Sequence, residues 1–478
     1  MRPKLKTFQA FADQLLPHET QYLLSIQQLE DPVKLRLLQQ LDHNSRHRHD
    51  QRPFDPEIDR RKYSHLKNWI QKQLKAIDVD EHFAWMVDLE QKIYSDRISP
   101  AEEKELLKAL RRSEQPMFNF TKFFELLRQY RQFLQIRLRH SEYQFIDDFL
   151  KQHRAAYERS LRVSEQFDYA TRDIVNHFSK RSNESIQWQR WLTEVFYDET
   201  LDGLTRYLAL VRLAYIAINY KQYEPILPLF DELKRKFAQG QYYSRRILLN
   251  YYNNRLLLHT GLGDIERGID YGYLAIRAQN HDYLLYVNNL CKFLLQQGQA
   301  EESWRILREA LPTLKATPNF HSRVGFSALY IRTLVMRGQC EKARSYGEIN
   351  LRAYEKEILR HRWHAYFAAY AESLLLLQRF GELTTLARRY HLLDRERSYC
   401  AQTGAPPLIT WYVGLSRYHL GEVDLPELRA GLPQGDRPPF SPRSTGVQKQ
   451  IYHAFHDFFT LWPPQTETTS HEPKPPLG

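Results

Sequence analysis

The sequence predicts an all-α fold of stacked antiparallel helix pairs, and three observations carry that reading. Glycine is scarce, at 18 of 478 residues, and long stretches lack the Val/Ile/Thr alternation of a half-buried strand. Apolar residues recur instead at helical spacing. In the central third, a glycine followed five residues later by a small side chain returns at a period that belongs to repeat architectures rather than to one globular core.

Composition narrows the class further. The three cysteines, Cys291, Cys340 and Cys400, stand far apart without CxxC spacing, so a reducing compartment is expected rather than a disulfide scaffold. The start, "MRPKLKTFQAFADQLLPHE", has its apolar run broken by Gln9, Asp13 and Gln14 and reads as an amphipathic helix, not an export signal. No apolar run approaches the roughly 20 residues that cross a bilayer. The expectation is a soluble, cytoplasmic protein. A formal charge of +11, from 68 basic and 57 acidic side chains, is a modest bias toward anionic partners over so long a chain.

Taken in order, the first interruption of the helical texture is "LDHNSRHRHDQRPFDPE" (41–57), polar and carrying two prolines. "SPAEEKELLKALRR" then announces a helix from about 100 to 113: Ser99 caps the free amides, Pro100 suits the first turn and Glu102 completes a capping box. "FFELLRQYRQFLQIRLRH" places Leu126, Leu127, Tyr130, Phe133, Leu134 and Leu138 on one stripe, and Arg128, Arg131, Gln135 and Arg139 opposite. Helical patterning runs from about 57 to 397. "GLPQGDRPPFSPRS" (431–444) reads as a loop before a last amphipathic helix containing Ile451, Phe455, Phe458 and Phe459. The tail "PPQTETTSHEPKPPLG" has the composition of a disordered segment.

The repeat emerges when "LGDIERGIDYGYLAI", "QGQAEESWRILREAL" and "RGQCEKARSYGEINL" are aligned. Gly263, Gly298 and Gly338 precede Gly268, Ser303 and Ala343 by five positions, and looser copies put Ile226 and Leu383 in the small position. Each unit is read as a helical hairpin. The first glycine permits backbone angles closed to other residues, and the small residue lies where the second helix crosses the first. Gly268 sits in a helix at a propensity cost of about 1 kcal/mol against Ala, which close packing offsets.

These residues resemble the tetratricopeptide repeat, whose second helix begins with a G-D-Y-E-E-A-like run. "GDIERGI", "GQAEESW" and "GQCEKAR" carry the likeness, which covers roughly 205–420; repeat spacings of 40 and 42 exceed the usual 34 of that family, and some units hold Leu or Ile at the small position. The resemblance implies a right-handed α-solenoid over 201–430. An N-terminal helical region of unassigned register precedes it (1–200). A loop and capping helix (431–462) and a tail (463–478) follow.

In such a solenoid the first helix of each pair lines a concave surface that binds extended peptides. "NYYNNRLLL" and "YVNNLCKFLL" put Asn253/Asn254 and Asn288/Asn289 in equivalent places. Asparagine amides there can read a ligand's peptide bonds, or they can serve inter-helix hydrogen bonding. Lys292 and Arg332 would add anion attraction, and Arg212 with Tyr215 would extend the groove. Catalytic and metal constellations are poor. His43 and His47 stand at i, i+4 without a third ligand and read as a polar loop, while His361 and His364 read as edge-of-core histidines. There is no phosphate-binding loop, dinucleotide fingerprint or nucleophile elbow. The sequence therefore points to a non-enzymatic scaffold without a cofactor that binds another protein or peptide, with an acidic partner suited to the charge. The alternative is a nucleic-acid-binding helical-repeat protein using basic helix faces.

Overall fold

The computed structural model describes residues 5–112, 117–180 and 183–430, and among these every regular element is a helix. The loop, terminal helix and tail read at 431–478 lie outside the described residues. Among the described residues no helix is long and apolar enough to cross a membrane. The chain forms two compact units, 1–283 and 284–478.

In the first unit the helices Lys6–Ala12, Pro17–Ile26, Pro32–Arg46 and Arg60–Ile77 enclose a core that includes Phe8, Leu23, Leu38, Leu66 and Ile70. The Pro32–Arg46 helix runs into the stretch read as a polar interruption. Its polar residues are used locally: Arg46 pairs with Asp42 at 2.9 Å, and the Asn44 amide exchanges two hydrogen bonds with the backbone of Arg52. His43 and His47 stack on each other there, and the His43 ring meets the Asp50 backbone oxygen at 2.8 Å. A second core, with Met86, Leu106, Phe123, Leu127, Tyr130 and Ile146, lies among Val79–Tyr94, Pro100–Arg112, Phe120–Ile136 and His140–Lys180. The capping box forms as read, with Ser99 N–H donating to Glu102 at 2.9 Å.

The N-terminal helices do not stack only on their sequence neighbours. The ring nitrogen Nδ1 of His18 meets the Tyr252 hydroxyl at 2.6 Å, and the Tyr243 hydroxyl donates to Glu19 at 2.7 Å. Arg277 donates to the carbonyls of Leu15 and Ser45, both at 2.7 Å. All of these groups are removed from water except part of Arg277, so each polar atom needs its distant partner. Burial, reinforced by Lys234, Arg46 and Arg255, pushes His18 down to about 3 and keeps the ring neutral.

The second unit is built more regularly. Its hairpins are Tyr283–Gln296 with Ala300–Ala316, Phe320–Met336 with Cys340–Arg360, and Trp363–Leu376 with Phe380–Arg389. The Leu392–Thr403 helix is followed by Leu408–His419 and Leu425–Ala430. The first helices of successive hairpins, Phe320–Met336, Trp363–Leu376 and Leu408–His419, pack on one another, over a core with Ile331, Ala343, Phe367, Leu374, Leu383 and Ile409.

One turn recurs along the chain. Gly263, Gly298 and Gly338 have φ of 92°, 71° and 69°, the left-handed region that glycine enters without strain. The residue after each donates five positions back, as in Gln299 to Leu294 and Gln339 to Leu334, both at 2.9 Å, which satisfies carbonyls that the helix end leaves open. Gln378 holds the same place without being glycine, with φ of 59° and an Arg379 to Leu374 bond of 2.9 Å. Asp96 and Leu138 make it again, at φ of 55° and 57°, inside the region to which the sequence assigns no register.

The small positions sit at helix crossings. A Cβ on Gly268 would lie 2.5 Å from Thr260 Cγ2 and 3.1 Å from the Leu256 carbonyl oxygen. Ser303 and Ala343 are fully buried, as are Leu383 and, nearly, Ile226 in the looser copies.

Candidate binding cleft

The first helices of the second unit have a spacing that the turns impose. With turns at 298, 338 and 378, the residues six positions earlier are Lys292, Arg332 and Glu372, and Tyr412 continues the step of 40. Equivalent places on packed, equivalent helices face the same side. All four line one cleft of about 770 Å³.

Its walls join charge to apolar surface. Lys292, Arg332 and Arg362 face it against the single carboxylate Glu372 among the described lining residues, with Leu329, Val335 and Leu376 between them. Ala328, Ala365, Ala368 and Ala369 also line it, and such short side chains leave the space open. Met336 and Leu376 are 42% and 44% exposed, so part of this apolar surface meets water. Lys292 as a whole residue is exposed, yet the walls around its ammonium, with Arg362 adding repulsion, push it below the ordinary lysine range.

Arg362 is held in position by an unusual local geometry. It begins the Trp363–Leu376 helix with φ of 49°, and its Nε–H donates to His321 Nε2 at 2.7 Å. Gly325 makes room: a Cβ there would lie 3.2 Å from Arg362 Cδ and 3.3 Å from Asn288 Nδ2. Sequence reasoning missed Gly325, Arg362, Glu372 and Tyr412. An isolated glycine within the helical run "RVGFSAL" was one available signal, and extending the step of 40 from Lys292 and Arg332 was the other.

The eight residues singled out in the sequence divide between the units. Asn288, Asn289, Lys292 and Arg332 come together on the cleft. Asn288 is buried and its amide donates to the Ser322 carbonyl at 2.8 Å, which ties two helices together, while its Oδ1 has no hydrogen-bond partner. In the first unit Asn253 is buried, and Asn254 donates to Asn250 Oδ1 at 2.8 Å, an oxygen that also accepts from Tyr207. Arg212 donates to Thr171 Oγ1 at 2.9 Å and lies over the Phe167 ring; burial lowers its pKa against the opposing pull of Asp168. Tyr215 is 48% exposed, with its hydroxyl pKa raised by burial and by Asp282.

Fold and cleft together define an all-helical protein of packed hairpins with a groove that is cationic and apolar at once. No protein-family model, curated protein or solved structure matches the chain.

Proposed function

We propose that the chain is a non-enzymatic interaction scaffold of tetratricopeptide-like right-handed solenoid type, and that its 284–478 unit binds an extended acidic peptide segment of another protein in the cleft. The observation that carries this reading is the meeting of Asn289 with Lys292 and Arg332 on one cleft, the two cations standing at matched repeat positions. An extended chain suits such a surface because a fixed step along the repeats matches a periodic ligand. Charge would steer the encounter, and the apolar strip between the cations would hold side chains flanking the acids.

The nucleic-acid alternative draws less support. Along the arginine-bearing stretch 126–139 that motivated it, Arg131 and Arg137 pair with Asp147 and Asp96 at 2.6 Å, and Arg139 pairs with Glu103 and Glu142. Their charge is engaged within the protein.

A displayed random-peptide library panned on the full chain tests the proposal. Enriched peptides are expected to carry Asp or Glu beside apolar residues and to bind Asn289→Ala/Lys292→Ala/Arg332→Ala at least tenfold more weakly, about 1.4 kcal/mol. Equal affinity for a triple variant with unchanged helical content overturns the assignment of the cleft.

A further inference from the structure

Behind the wall of the cleft, a second constellation uses residues that the peptide reading does not need. His364 stands near the start of the Trp363–Leu376 helix, while Glu396 and Cys400 are one turn apart on Leu392–Thr403. The His364 Nε2 and Glu396 Oε1 atoms are 2.7 Å apart, and the donor atoms of His364, Glu396 and Cys400 all lie within 4.8 Å of one another. We infer that these three side chains form a binding site for a divalent transition-metal ion of the zinc or cobalt type.

The donor set selects the ion. One imidazole nitrogen, one carboxylate oxygen and one thiolate sulfur suit zinc or cobalt(II) in tetrahedral geometry, whereas calcium and magnesium call for oxygen alone. Three protein ligands leave a fourth position for water or for a donor on a bound molecule.

The surroundings fix the ligands. Glu396 has no exposed surface, and its oxygens also accept from the Ile409 and Thr410 amides, at 2.9 and 2.6 Å, and from Thr410 Oγ1 at 2.8 Å. Those bonds orient the carboxylate as supporting hydrogen bonds do around metal ligands. The His364 ring stacks on Tyr399 at 4.5 Å, which fixes its plane. His364 also lines the cleft, so an ion has a route from water.

Charge favours occupancy. A carboxylate buried this deeply is costly to hold. A divalent cation shared by that carboxylate and a thiolate brings the cluster to neutrality. The Cys400 thiol must lose its proton to ligate. As the metal–sulfur bond forms, Cys400 gives that proton to solvent. His364 ligates through Nε2, which must carry no proton to do so. Protons leave as the ion binds, and nothing is oxidised or reduced.

Cobalt(II) titrated into the full-length chain is the test. The expected result is thiolate-to-cobalt charge-transfer absorption saturating at one equivalent, proton release on binding and displacement by zinc. Cys400→Ser should abolish that absorption with helical content unchanged, and His364→Gln should weaken binding at least tenfold. In the unsubstituted chain, zinc should slow alkylation of Cys400, but not of Cys340, at least tenfold. Absence of the absorption, its persistence in Cys400→Ser, or unchanged alkylation overturns the site. None of these readouts involves a peptide, so failure here leaves the cleft assignment standing, and the reverse holds as well.

Discussion

The two units hold their helices together by different means. In 1–283, groups more than two hundred positions apart complete one another, as His18 does with Tyr252 and Leu15 with Arg277. In 284–478 the order is local: a left-handed turn and a buried crossing residue, small at Ser303 and Ala343, repeat from hairpin to hairpin at a step of 40 residues. Both units use left-handed turns, but the first adds buried polar pairs between helices far apart in sequence, while the second repeats its turn and crossing at a fixed step. Sensitivity to acid should therefore be steeper in the first, and sensitivity to side-chain volume should recur at a fixed step in the second.

The largest expected effect breaks the local order. Ala343→Arg drives an unpaired charge into a fully buried crossing and should destabilise the second unit by about 3–5 kcal/mol; urea unfolding followed by amide exchange in each unit measures it. Exchange protection retained throughout 320–390 would remove the crossing from the account.

Acid should act on both units and more steeply on the first, since His321 in the second is pushed down only to about 4. His18 is neutral when folded, with its pKa pushed down from 6.5 to about 3, so the unfolded chain binds more protons throughout that window. Stability is then lost as pH falls below 6.5 and goes on falling toward 3, by up to about 4 kcal/mol. His18→Phe should flatten this slope while lowering stability at neutral pH by about 1–3 kcal/mol, because the Tyr252 hydroxyl loses its partner. Exchange rates of amides 243–260 compared with 324–335 at pH 7 and 4 show whether acid acts more steeply on the first unit.

Two smaller changes probe the turns. Gly338→Ala places a side chain at φ of 69° and should cost about 1–2 kcal/mol. Gln378→Gly relieves the same conformation where it already exists and should stabilise the second unit by about 0.5–1 kcal/mol. Opposite signs in thermal melts are expected; equal signs would mean that the turn geometry does not govern these positions.

The helical class was legible because its signals are local. The Ser99 cap, the turn glycines and the apolar stripes each depend on neighbours a few positions away. Two of the four cleft positions at the repeated step were legible as well, Lys292 and Arg332. What escaped depends on tertiary placement. Arg362 reaches the cleft from a helix start with left-handed backbone, and Glu396 matters because a helix from 408 presents its first amides to it. The turns at Asp96 and Leu138 were hidden for a different reason: neither residue advertises positive φ, so the pattern that glycine reveals further on was silent there.

The bond from Tyr252 to His18 spans 234 positions, and that from Arg277 to Leu15 spans 262. On a ribosome adding about 5–20 residues per second, the amino-terminal helices emerge roughly ten to fifty seconds before their partners exist. Throughout that interval Glu19, sealed away once the chain is complete, lacks the Tyr243 hydroxyl that later donates to it and must be hydrated instead.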